Sequence, residues 1–520
     1  MKPLQITAVI SRNLRKLEPA RMDASKPKRV ECLPGTRTDL ISAITEWVHD
    51  RNAHNVLWIH GLAGTGKSTL LTSVATIFRD KGSLGAFLFF DRYVTEKSDP
   101  STVIRTLAHQ LSHLQPQTAF AIAASLDRVS SASFPSLEFQ FQHFLVDALS
   151  TEGVVDRDST IVFVLDALDE CGTPGGTPGV ERDHLLNVLA EYSALLLPNF
   201  RFIISSRTEA DVLDAFDSQP HILGMELDVN LDVSSRDILT YLRHHMGLIR
   251  RKTKSLSTDW PGEDKIQQLT RCANGLFVWA ATACEFINGH DPRKRLDLIL
   301  QGNSFSAGHS LDKLYQTALN DAGMWDDGDF VEDFRAIMGM VLVLKNPLSS
   351  SAIDTLRGIP EHPSRAADDT IKRLSCLVSS NLTIRIIHPS FADFLMERAR
   401  CGRDVWFLNP SFHHRAVSEL CLRCLTHALR RNMCNLTLSV DVEDETLPEG
   451  VTYACLFWVD HILFSESDIA PLVECFLRQH LLHWFEAMSV IKKSRDTIRL
   501  LQGLSAWIVV SLVPLMFCPV

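Results

Sequence analysis

Gly61-Leu62-Ala63-Gly64-Thr65-Gly66-Lys67-Ser68 fits the spacing G-x-x-x-x-G-K-[ST]. Each residue type in it suits the holding of a polyphosphate. Glycines let the backbone curl until successive N–H groups face phosphate oxygens, a turn that Cβ atoms would obstruct. Lys67 offers a point charge to the terminal phosphates, and the Ser68 hydroxyl is a hard oxygen ligand for Mg²⁺. Thr65, Gly66 and Thr69 complete the loop and open a helix whose positive end adds to the site. At average residue frequencies a chain of this length yields about 0.02 such matches by chance. A Gly-rich turn that binds nothing is therefore the weaker reading.

A second constellation follows. The apolar run Ile161 to Leu165 ends in Asp166-Ala167-Leu168-Asp169-Glu170. A carboxylate ending a parallel strand lies at the sheet edge where ligands bind. Asp166 is thus the candidate to hold Mg²⁺ through water, and Glu170 or Asp169 to orient or deprotonate an attacking water. Read alone, the segment could equally be an acidic helix start; the phosphate-type loop upstream favours the catalytic reading. Arg201 to Ile204 runs into Ser205-Ser206-Arg207, an arginine at a strand end that could stabilise charge on a terminal phosphate.

These residues need a scaffold, and the pattern from Val56 to Arg207 supplies one. Short β-type runs (Val56–Ile59, Ala86–Phe90, Ile161–Leu165, Phe202–Ser205, His221–Leu227) alternate with helix-period stretches such as Thr69–Asp80, Thr102–Leu114 and Leu137–Leu149. That is the signature of an α/β parallel sheet with flanking helices. The segment 172–179, GTPGGTPG, reads as a loop. Beyond about residue 230 helical periodicity dominates, interrupted by a β-type stretch at Thr383–Ile387, and no fixed-period repeat is visible.

The chain has 520 residues, 45% hydrophobic and 22% charged, with a formal net charge of −10, which gives no reason to expect nucleic acid as a partner. Basic residues gather in the first thirty positions without the apolar core of a signal peptide. The twelve cysteines show no framework spacing and read as reduced thiols of a cytoplasmic protein. Cys421 and Cys424, with Cys434 beyond, lack a second CxxC, so zinc is not expected. From Ser505 the chain is uncharged but short for a membrane span and broken by Pro514. A buried helix, or an end that is not the natural one, is expected rather than a tail anchor.

Taken together, the motifs resemble the NACHT family, signal-transducing P-loop ATPases of the STAND class related to innate-immunity receptors and plant resistance proteins. The likeness is closest to the fungal branch. It rests on Cys32-Leu33-Pro34-Gly35-Thr36-Arg37, WIHGLAGTGKS, VFVLDALDE and FIISSR in that order, then Ala273 to Ala280 (ANGLFVWA) and His388 to Leu395 (HPSFADFL).

The resemblance implies a basic leader of poor order (1–30) and a nucleotide-binding α/β domain (31–230). A helical domain (231–310), a winged-helix-like domain (311–400) and a C-terminal helical region (401–520) would follow. It further implies that His388 touches a β-phosphate and that the Arg37 region lies near the base. Two positions depart from the pattern: Ala167 stands where many relatives have glycine, and Phe277 where related receptors bring a proline against the base.

The implied activity is an ADP/ATP-controlled conformational and oligomerisation switch with slow Mg²⁺-dependent hydrolysis. GTP is an alternative nucleotide, although no Asn-Lys-x-Asp motif is present. A non-catalytic nucleotide-binding scaffold and a remodelling ATPase are the competing classes. Expected partners are nucleotide, further copies of the chain on activation, and proteins the sequence does not identify.

Overall fold

The computed structural model describes residues 10–20, 30–127, 136–150, 154, 156, 159–172, 180–228, 232–302, 310–358, 367–433, 447–465 and 469–516. The chain divides into two compact units, Met1–Ser310 and Leu311–Val520.

The first unit is organised by a five-stranded parallel sheet of β1 (Val56–His60), β2 (Leu84–Phe89), β3 (Ile161–Asp166), β4 (Phe200–Ser206) and β5 (Ile222–Glu226), in the order β2-β3-β4-β1-β5. Alternation along each strand feeds two cores, as a sheet covered on both faces requires. Val56, Trp58, Phe163, Leu165, Phe202 and Ile204 point to one face. Leu57, Ile59, Val162, Val164 and Ile203 point to the other. α1 (Thr38–His49) and α2 (Lys67–Asp80) cover the second face through Ile44, Val48, Leu70, Leu71, Val74 and Phe78. α3 (Val103–Leu111) and α4 (Val180–Tyr192) cover the first through Ile104, Leu107, Leu185 and Leu189.

The five expected strands are all present. β2 begins two residues before the sequence reading, at Leu84, because Gly85 acts there as a packing device and not as a breaker. A Cβ at Gly85 would stand 2.7 Å from Ile161 Cγ2.

Part of the basic leader is docked on this unit. Residues 10–15 are helical and Leu17 is fully buried in the first core. Arg105 Nη1 donates to the Leu17 carbonyl at 2.9 Å, and Asn13 Nδ2 to Asp127 Oδ1 at 2.7 Å. The remaining leader positions and residues 173–179 of the glycine-rich loop lie outside the described residues.

After β5 the unit turns helical: α5 (Ala210–Phe216) precedes that strand, and α6 (Asp232–Lys252), α7 (Glu263–Ala273), α8 (Phe277–Ile287) and α9 (Pro292–Gly302) follow it. Asn274 (φ 46°) and Gly275 (φ 77°) end α7 in the left-handed region and reverse the chain into α8. α8 carries the AxGLFxWA segment and is buried almost all round, from Val278 and Trp279 to Phe286 and Ile287.

Among the described residues the second unit is helical apart from a short antiparallel pair, β6 (Val378–Ser379) with β7 (Arg385–Ile386). α10 (Gly328–Val343) is capped by the Asp327 side chain, which accepts from the amides of Asp329 and Phe330. α11 (Pro389–Met396), α12 (Pro410–Ala428) and α13 (Glu449–Leu463) follow. Cys421 is buried in α12 and Cys424 is half-buried; Cys434 lies outside the described residues. The uncharged tail continues the helix Asp496–Met516, and no helix among the described residues is long and apolar enough to cross a membrane.

Candidate functional site

β4 lies between β1 and β3, so its last residues hold the two motif-bearing strands at fixed spacing. Ser206 Oγ accepts from Trp58 Nε1 of β1 at 2.8 Å. Ser205 Oγ donates to Asp166 Oδ1 of β3 at 2.7 Å and accepts from the Ala167 amide at 2.9 Å. Asp166 is fully buried with its carboxylate already oriented. The chain then turns through Ala167, whose φ of 60° is the left-handed conformation that glycine adopts without strain. The departure noted at this position therefore costs the chain backbone strain.

The Gly61–Ser68 loop joins β1 to α2. Gly61 (φ 146°), Gly64 (φ 85°) and Gly66 (φ 91°) all have positive φ. A Cβ on Gly61 would stand 3.0 Å from the Leu227 carbonyl oxygen, so the close approach is built into the fold. Lys67 opens α2, is 9% exposed, and donates from Nζ to the carbonyls of Gly61 (2.7 Å) and Leu62 (2.9 Å). Burial lowers its pKa to about 8, while Asp169, Asp166 and Glu170 pull it back up. Ser68 is exposed at the helix start and Thr69 is half-exposed beside it. Thr65 is buried, its hydroxyl donating to the Leu62 carbonyl at 3.1 Å.

The carboxylates after β3 divide their work. Asp169 is buried and taken up by arginines: Oδ1 accepts from the Arg207 amide at 3.0 Å, and Oδ2 lies 3.3 Å from Arg207 Nε and 3.9 Å from Arg92 Nη2. Glu170 is bound more loosely, accepting among the described residues a single long bond of 3.4 Å, from the Arg92 amide. Burial pushes its carboxyl up to about 7 against the pull of Arg92. A carboxyl titrating near neutrality beside a fixed arginine pair is the arrangement expected of a proton acceptor.

The site's inner wall comes from the helical segment of the same unit. The Val278 amide donates to the Gly64 carbonyl at 3.1 Å. Arg37 Nη2 donates to the Thr65 carbonyl at 2.8 Å. Arg37 is itself held by α6: its amide donates to Asp237 Oδ2 at 3.0 Å, and its Nε lies 4.0 Å from the same oxygen. The guanidinium carbon sits 4.8 Å above the Phe277 ring, a cation–π contact. Phe277 in turn packs against Gly66, where a Cβ would be 3.7 Å from the ring.

The residues present fit a Mg²⁺-nucleotide. Gly61, Gly64 and Gly66 hold the positive φ that a phosphate-cradling loop needs, Ser68 and Asp166 are hard-oxygen donors, and the Lys67 ammonium rests on loop carbonyls.

The structure thus brings Gly61, Gly64, Thr65, Gly66, Lys67, Ser68, Asp166, Asp169, Glu170 and Arg207 to one sheet edge. His388 belongs to the second unit, where it caps α11: Nδ1 accepts from the Ser390 amide at 3.2 Å and pairs with Ser390 Oγ at 2.6 Å. Arg92 and Ser205 were missed by motif reading. The serine pair ahead of Arg207 was the available signal for Ser205. Arg92 carried none beyond its place after β2.

A family model described as Nephrocystin 3, N-terminal, matches residues 35–207, the span from Gly35 to Arg207. Vegetative incompatibility protein HET-E-1 of Podospora anserina is 24% identical over 500 residues, covering 89% of this chain and 35% of that protein. The chain therefore spans about a third of the length of that relative. Among solved structures, a signal transduction ATPase with numerous domains and a tetratricopeptide repeat sensor, from Pyrococcus horikoshii, is similar at 15% identity and a TM-score of 0.44. That likeness covers 94% of this chain and 56% of the other. The ordered motifs gathered at one sheet edge, the family match over residues 35–207 and a fungal relative aligned along 89% of the chain together support a P-loop NTPase of the NACHT/STAND type.

Proposed function

We propose that the chain is a nucleotide-controlled switch that binds ATP or ADP at the Gly61–Ser68 loop and hydrolyses ATP slowly to reset itself. The observation that carries this reading is the pair of bonds on the loop's own backbone. Val278 and Arg37 hold the carbonyls of Gly64 and Thr65, and Arg37 is paired with Asp237 of α6. Any rearrangement of the loop on nucleotide exchange is thereby felt by α6 and α8. A ligand shifts a conformational equilibrium only through such differential contacts.

Lys67 would hold the terminal phosphates, Ser68 and Asp166 the Mg²⁺ ion, which neutralises phosphate charge when bound. Glu170 accepts the proton of an attacking water and Arg207, aimed by Asp169, faces the developing charge. Asp169 serves as the arginine holder and not as the base, since its carboxylate is engaged by Arg207. The β6–β7 pair with its neighbouring helices is read as a winged helix, and His388 keeps the nucleotide-contacting role that the family resemblance implies. Self-association in the ATP state completes the reading, supported by the similarity to a fungal incompatibility protein along 89% of this chain.

The test is nucleotide binding, hydrolysis and mass in solution for wild type, Lys67→Ala and Glu170→Gln. The switch predicts a monomer that retains ADP, loss of nucleotide in Lys67→Ala, and an ATP-bound oligomer in Glu170→Gln. Rapid turnover at unchanged mass would favour a remodelling ATPase, and absence of any bound nucleotide a scaffold.

A further inference from the structure

Arg182 belongs to none of the motifs, yet its guanidinium joins two of the turns that carry them. It lies near the start of α4 with its side chain 15% exposed. Nη1 donates to the main-chain carbonyl of Asp169 at 2.8 Å. Nη2 donates to Glu209 Oε2 at 2.7 Å and to Asp211 Oδ1 at 3.3 Å, and Nε lies 2.7 Å from Asp211 Oδ2. Glu209 and Asp211 flank the start of α5, two and four residues beyond Arg207. The stem of Arg182 rests on Gly172, where a Cβ would stand 3.2 Å from its Cβ and Cδ. Gly172 also has a φ of 87°, so both space and backbone call for glycine.

We propose that Arg182 is a positioning residue for hydrolysis, clamping the turn that carries Asp169 and Glu170 to the turn that carries Arg207. The inference rests on the hydrolytic reading above and names a determinant that reading does not contain. Asp169 meets the turn after β4 once directly, its carboxylate taking the Arg207 amide and Nε, and once through Arg182, which its carbonyl holds and which in turn holds Glu209 and Asp211. Arg207 is aimed only while those two turns keep their spacing. Without the guanidinium, the Glu209 and Asp211 carboxylates face each other uncompensated, and like charges repel. A planar fork can satisfy acceptors on two turns at once; a lysine ammonium on a flexible stem does this poorly. A misplacement of about 1 Å at a reacting group is enough to cost on the order of 10²-fold in rate.

The experiment uses the full chain and measures kcat and KM for ATP hydrolysis, together with ADP affinity, in Arg182→Ala, Arg207→Ala and the double variant. Arg182→Ala is expected to lower kcat by about 10- to 100-fold. ADP affinity should stay within about twofold, since no contact of Arg182 reaches the Gly61–Ser68 loop. The double variant should be no slower than Arg207→Ala alone, the non-additivity of a residue acting through another. Arg182→Lys should recover part of the rate. Glu209→Gln with Asp211→Asn, which keeps the arginine but loosens its grip, should lower kcat in the same direction by a smaller factor. An unchanged kcat in Arg182→Ala beside an impaired Arg207→Ala overturns this inference alone, as would losses that multiply in the double variant. A wild type that neither binds nor hydrolyses nucleotide overturns the hydrolytic reading and this one together.

Discussion

At the sheet edge of the first unit, burial lowers Lys67 to about 8 and raises Glu170 to about 7, and opposite charges pull each part of the way back. In the second unit burial acts on His413, His414 and His461, and there every neighbouring charge pushes the same way. Arg335 lowers His413, Lys345 and His413 lower His414, and His414 and Lys345 lower His461. Those last two rings belong to a hydrogen-bonded chain. The Lys345 amide donates to Tyr453 Oη at 3.0 Å, Tyr453 Oη meets His461 Nε2 at 2.7 Å, and His461 Nδ1 meets His414 Nδ1 at 2.9 Å. Two neutral imidazoles satisfy this chain with one proton per link, and burial favours that state. The first network keeps charges poised near neutrality, as chemistry needs; in the second, burial and neighbouring cations both disfavour charge, as a packed core needs.

The largest effect expected concerns the poised carboxyl. Glu170→Gln should lower hydrolysis by about 10²- to 10⁴-fold while nucleotide still binds. In wild type kcat/KM should rise with pH through about 7 as Glu170 loses its proton, and fall above about 8 as Lys67 loses its charge. A pH–rate series checks both limbs, and the alkaline limb should survive in Glu170→Gln. Lys67→Ala comes next, weakening ATP and ADP by about 10²-fold or more, on the order of the 3 kcal/mol of a strong charge-assisted bond; isothermal titration reads it.

The buried histidines of the second unit should yield to acid, His413 beside the network among them. The folded pKa of His413 is lowered to about 4, below its unfolded value, so its neutral form favours the fold at high pH. Stability is then fully present above about 6.5 and is lost as pH falls from there towards 4, by up to about 3 kcal/mol for this group. Hydrogen exchange resolved by peptide should show residues 410–428 and 449–463 loosening first as pH falls. Uniform loosening of both units would remove the contrast. The smallest effect is Ala167→Gly, which relieves the left-handed backbone after Asp166 and should stabilise the first unit by about 1 kcal/mol in thermal unfolding.

The loop and the β3 carboxylates were legible in the sequence because phosphate chemistry dictates residue types at short, fixed spacing. Strand order was not legible. Only the placement of β4 between β1 and β3 reveals that Ser205 orients Asp166. Arg92 and Arg182 reach Asp169 from 77 and 13 residues away in the chain, so no local pattern marks them. Arg37 was legible as part of a leader motif, but its hold on the Thr65 carbonyl and Asp237 required the fold. His388 resembled a ligand residue by its surroundings, and its Nδ1 proves to be engaged in a helix cap.

The central claim is that loop occupancy is felt by α6 and α8, and amide hydrogen exchange at residues 277–287 tests it most directly. ADP should slow exchange there in wild type, the Val278 amide included, and leave Lys67→Ala unaffected. Exchange in that segment that ignores ADP while ADP demonstrably binds would contradict the account.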